Sequence, residues 1–195
     1  MRKGQTVSYE RLNRALRHVQ GVLEELGIYD KLDHVEVHWC ELPQLSVPAA
    51  RGFFTHGDQG FFGRLVGYDA GHIFIPKIVP LQLWRQNRGS LRGLLLHEYA
   101  HAVAYYYPAI VAGRMFSSTF GGPYGWQVHR GEQPKEACVS AYAMTSPAEN
   151  FAETVEFWIT NRLNSRIKGV HPMLARKFRF VASVITRLQS ASRAR

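Results

Sequence analysis

His97 and His101 stand four residues apart with Glu98 between them, inside a proline-free run from Ser90 to Tyr107 that reads SLRGLLLHEYAHAVAYYY. Leu91, Leu94, Leu95, Ala102, Val103 and Tyr106 recur at three-to-four spacing, which predicts a helix with an apolar, buried side. Ser90 suits its N-cap, and Pro108 ends it. On such a helix His97 and His101 stack one turn apart, so both Nε2 atoms can converge on one ion while Glu98 stays close enough to work on a water. That donor set is the zinc site of a metallopeptidase, although the five-residue pattern also arises by chance. Residues downstream of the helix therefore decide its meaning.

A catalytic zinc usually keeps three protein ligands and one open position. The metzincin arrangement requires glycine at 104 and histidine at 107; Ala104 and Tyr107 exclude it. Further on, Ser146-Pro147-Ala148-Glu149 opens a second helical pattern reaching about Arg162, with Phe151, Val155, Trp158 and Ile159 as its buried stripe. Glu149 and Glu153 then share one face. We expect Glu149 as the third ligand and Glu153 as the carboxylate that accepts a hydrogen bond from a ligating histidine's other nitrogen. The reverse assignment stays open.

These residues carry a resemblance. His97-Glu98-x-x-His101, Tyr142 and Glu149-Asn150-Phe151-Ala152-Glu153 are similar to the gluzincin-type peptidases, and within them to the anthrax lethal factor and Pro-Pro endopeptidase family. In that family a tyrosine lies seven positions before the ligand glutamate, as Tyr142 lies before Glu149. The resemblance covers about residues 90–162. It implies an α+β, zincin-like fold and endopeptidase activity, with Tyr142 donating to the developing oxyanion. The chain also resembles SprT-like DNA-associated proteases in one respect: His129, after the motif helix, is a rival third ligand. A zinc-stabilised binding module is the other alternative, but a structural site has no use for Glu98.

With 195 residues, 46% of them hydrophobic and 20% charged, the chain can bury a substantial core and reads as a single domain. The expected parts are an N-terminal helix (1–30), a small mixed sheet (31–89), the catalytic core (90–165) and a basic amphipathic C-terminal helix (170–195). No apolar stretch is long enough to span a membrane, and the N-terminal residues are charged. The protein is expected in the cytoplasm, with secretion by a specialised route left open. Cys40 and Cys138 lack metal-ligand spacing and are expected as thiols, Cys138 as a buried structural one.

The formal charge of +9 raises nucleic acid as a partner. No nucleic-acid motif accompanies it. From Pro172 to Leu188 the basic residues fall opposite Leu174, Phe178, Val181, Ile185 and Leu188, the pattern of a packed helix with a solvated face, so a peptide or protein substrate is the favoured partner.

Elsewhere Ser8 to Leu26 predicts a helix stopped by Gly27, and Asp33 to Trp39 alternates as a strand with His34 and His38 on its polar, solvent side. Gly60 to Tyr68 and Gly71 to Pro76 are strand-like runs. His72 to Pro76 precedes the motif helix, which makes Ile73, Phe74 and Ile75 candidates for an edge strand that holds substrate. The glycine-rich connection from Ala112 to Lys135 reads as irregular, with Tyr124 and Trp126 as further substrate contacts.

Overall fold

The computed structural model describes residues 4–29, 32–41, 53–55, 71–80, 90–125, 133–161 and 169–193. Helix α1 (Tyr9–Glu25) begins where Ser8 Oγ accepts the Arg11 N–H, and it buries Leu12, Ala15, Val19 and Leu23 along one side. Gly27, at φ 62°, makes the left-handed turn after it, a conformation that costs other residues a steric penalty.

Five short strands form two sheets among the described residues. Strand β1 (Gly4–Thr6) runs antiparallel to β5 (Ile78–Pro80). Strands β2 (Glu36–Cys40), β3 (Phe53–Thr55) and β4 (His72–Pro76) form a mixed sheet in the order β2-β4-β3, with β2 parallel and β3 antiparallel to β4. The edge expected at His72 to Pro76 is therefore corrected: β4 is the central strand, paired on both sides, and Ile73, Phe74 and Ile75 are buried. All five β4 residues are buried, the pattern of an interior strand apolar on both faces. Pro76, which suggested an edge, sits at the strand's last position, and the Lys77 N–H to Cys40 carbonyl bond carries the ladder past it. His38 also departs from expectation. It stacks on Phe74 with ring centroids 4.8 Å apart instead of standing in solvent beside His34. The Gly60 to Tyr68 run lies outside the described residues.

Helix α2 (Leu91–Tyr106) carries the histidine pair and is capped by Ser90 Oγ, which accepts the Gly93 N–H at 3.2 Å. Every residue from Gly93 to Ala104 is buried, so α2 is enclosed on nearly all sides instead of on one. It packs against α1 and against α4 (Pro147–Thr160). Helix α4 begins at Ser146, whose Oγ accepts the Glu149 N–H at 3.1 Å, with Pro147 in its first turn. Gly93 lets the two helices close: a Cβ there would lie 2.7 Å from Glu156 Oε1.

One further helix departs from the reading of the sequence, and a second, the expected C-terminal helix, departs from it at one residue. Part of the connection expected to be irregular is helix α3 (Arg114–Phe120), whose Phe116 and Phe120 stack and are buried in the aromatic core beside Phe151 and Phe180. Helix α5 (Pro172–Arg193) packs on α3 and α4 and exposes Arg176, Arg179 and Arg187, but Lys177 is fully buried. Among the described residues no helix is long and apolar enough to cross a membrane. The architecture is α+β, with His97 and His101 on α2 and Glu149 on α4.

Candidate metal centre

A buried helix carrying two imidazoles and a carboxylate must satisfy them from its neighbours, because an unpaired polar group in the interior is costly. Helix α4 supplies the partners. Its first turn brings Glu149 Oε2 to 3.1 Å from His97 Nε2 and 3.8 Å from His101 Nε2, and the two Nε2 atoms are 3.3 Å apart. Donor atoms at 2.0–2.1 Å from a tetrahedral zinc stand about 3.3 Å from one another. The triangle thus has the dimensions such an ion requires. Glu149 Oε2 is buried and faces both Nε2 atoms without a well-formed hydrogen bond to either, and a cation shared by the three atoms would satisfy it. The nitrogen, nitrogen and carboxylate set suits zinc.

One turn along α4, Glu153 Oε1 lies 3.1 Å from His97 Nδ1, and Ser140 donates to Glu153 Oε2 at 2.6 Å. Ser140 Oγ in turn accepts the Ala143 N–H at 3.0 Å, which ties the segment before α4 to the same carboxylate. The other ring nitrogen of His101, Nδ1, is 2.9 Å from the Tyr124 hydroxyl. Both imidazoles are therefore held on the side away from Glu149. The contact places Tyr124 beneath a histidine, a position the sequence did not suggest, and does not bear on the expected substrate contact.

Electrostatics follow from this crowding. Burial works against a charged His97, but contacts with Glu149 and Glu153 and the charge of Glu98 outweigh it and raise its pKa well above the ordinary histidine value. Burial also disfavours the Glu149 carboxylate, yet the two imidazoles overcome this and hold it well below the usual carboxylate range. For Glu98 burial wins. Its pKa is raised, against the opposing pull of His97, His101 and a hydrogen bond from the Phe54 backbone. Burial, together with the charges of Glu149 and Glu98, raises Tyr124 and keeps its phenol protonated.

The expected site residues thus divide clearly. His97, Glu98, His101, Glu149, Glu153 and Tyr124 come together, and Tyr142 stands beside them with its ring centroid 5.9 Å from that of His97. Ile73, Phe74 and Ile75 do not join them on an exposed edge. Trp126 and His129 lie outside the described residues. Both cysteines are free thiols, and Cys138 is half-buried 3.5 Å from the Lys177 ammonium, not among the donors. Phe54 and Ser140 were missed. Phe54 acts through its backbone, which no side-chain pattern reveals, and Ser140 reaches Glu153 only because a short turn at Tyr142–Met144 brings it back over α4.

Comparison with protein-family models, with curated proteins and with solved structures finds no match to this chain. The site therefore stands on its own geometry.

Proposed function

We propose that this protein is a zinc-dependent endopeptidase of the gluzincin kind, with His97, His101 and Glu149 holding the metal. The observation that carries the reading is the buried triangle of donor atoms with a second carboxylate, Glu98, at its side and its pKa raised by burial. When bound, zinc supplies a Lewis acid that polarises the scissile carbonyl and makes a water acidic enough to react near neutrality. Glu98 takes the proton of that attacking water and delivers it to the leaving amine. Its carboxylate is aimed by the Phe54 N–H. Glu153 Oε1, 3.1 Å from His97 Nδ1, would orient that ring with Nε2 toward the metal, and the Tyr124 hydroxyl, 2.9 Å from His101 Nδ1, would do the same for His101. By the resemblance, the hydroxyl of Tyr142 stabilises the oxyanion, a contribution worth on the order of a hundredfold in turnover.

An extended peptide fits beside β3 better than beside β4. Strand β3 pairs with β4 on one side, and no other strand pairs with it among the described residues, so a substrate can add to that edge within reach of Glu98. Glu98→Gln tests the mechanism. Zinc stoichiometry should stay unchanged while cleavage of a peptide library falls by at least about a hundredfold. Glu149→Ala should lose the metal and His129→Ala keep it; full zinc content in Glu149→Ala refutes the ligand set.

A further inference from the structure

A second group of donors lies on the mixed sheet and shares no residue with the α2 site. Glu36 and His38 alternate on β2 and so share one face, and β4 places His72 directly opposite Glu36 in the parallel register. His38 Nε2 is 2.9 Å from His72 Nδ1, and Glu36 Oε2 lies 3.4 Å from the first and 3.5 Å from the second. These edges match the spacing of about 3.3 Å expected between ligands of a tetrahedral ion as closely as the α2 triangle does. We propose that Glu36, His38 and His72 form a second divalent-metal site, selective for zinc-like ions, that clips β2 to β4. The inference does not rest on the peptidase reading.

Each of the three residues offers one ligand atom, and the three atoms lie close together. His72 is buried, with 3% of its side chain exposed, and its Nδ1 faces both His38 and the carboxylate. His38 keeps 33% and Glu36 60% of their side-chain surface exposed, which leaves an approach from solvent. The Phe74 ring stacks on His38 at 4.8 Å and fixes the imidazole plane. Two imidazoles and one carboxylate suit zinc, cobalt or nickel, not the oxygen-seeking calcium or magnesium. The partly exposed Glu36 must surrender rotamer freedom on binding, so this site is the weaker of the two.

Zinc stoichiometry of the full chain, measured by elemental analysis after equilibrium dialysis and by calorimetric titration, tests the proposal. The wild type should bind two ions. His38→Gln and Glu36→Gln, both at solvent-accessible positions, should keep a folded circular-dichroism spectrum. They should lose the weaker ion, with affinity reduced by more than the about ten- to hundredfold that removal of an outer hydrogen-bond partner costs. His97→Ala should retain it. A wild type that binds a single ion, lost in His97→Ala, overturns the second site; so does a His38→Gln protein that still binds two. One ion that survives in His97→Ala and disappears in His38→Gln upholds it and refutes the α2 site instead.

Discussion

His97 is the residue on which the site's proton balance turns. It sits between Glu149 on one ring nitrogen and Glu153 on the other, so without metal the imidazole is held protonated by two carboxylates. A raised histidine pKa contributes stability that is complete below the unfolded value of about 6.5 and is lost as pH rises through the folded value. The depressed Glu149 contributes stability above an unfolded value of about 4.3 and loses it as pH falls through its own folded value. Around neutrality both contributions are present in the metal-free protein, and zinc must displace the His97 proton to bind Nε2. Zinc binding should therefore release a proton, and apparent affinity should climb by about tenfold per pH unit up to the folded His97 value. Calorimetric titrations in buffers of different ionisation enthalpy measure this directly; a binding heat independent of buffer would contradict it.

At the scale of elements, the site depends on how closely β3 approaches α2. Gly71 sets that distance: its N–H donates to the Tyr106 hydroxyl at 2.7 Å, and a Cβ there would lie 2.5 Å from the Phe54 ring. Gly71→Ala should push Phe54 aside, destabilise the protein by about 1–3 kcal/mol in urea denaturation, and lower turnover by loosening the bond from Phe54 to Glu98. Unchanged stability and turnover would show that this packing is slack. The same elements show what a sequence can disclose. The helices α1, α2 and α4 were legible because Ser8, Ser90 and Ser146 are local signals whose caps form within three residues. Helix α3 was hidden by the glycines around it, since two buried rings at Phe116 and Phe120 give too short a pattern to outweigh them. Strand pairing is non-local. Whether His72–Pro76 lies at an edge or in the middle depends on β3, three residues about twenty positions upstream that carry no periodicity of their own. The donors on α2 and α4 could be read because helical spacing fixes each set, whereas Ser140 and the pairing of His38 with His72 need the fold.

For the whole molecule, charge is the property most easily misread. A formal +9 with basic residues on α1 and α5 suggests a surface for polyanions, and Arg14, Arg17, Arg176, Arg179 and Arg187 are indeed exposed. Lys177 is different. It is fully buried, donates to Gln133 Oε1 and to the Ala137 carbonyl at 2.6 Å each, and lies beside Cys138, so its charge joins α5 to the segment that precedes α4. Burial lowers its pKa, with the neighbouring Cys138 acting in the opposite direction, and the hydrogen bonds offset part of that cost. Lys177→Met keeps much of the volume but takes the lysine donor from the buried Ala137 carbonyl and one of the donors from Gln133 Oε1, so stability should fall by about 1–3 kcal/mol. Because Asn150 donates to the same Gln133 oxygen at 3.2 Å, one residue from Glu149, the loss should also be felt at the start of α4. Zinc affinity should then weaken while stoichiometry stays the same. A Lys177→Met protein as stable as the wild type would return this lysine to the general basic surface and leave α5 joined to the metal centre by apolar packing alone.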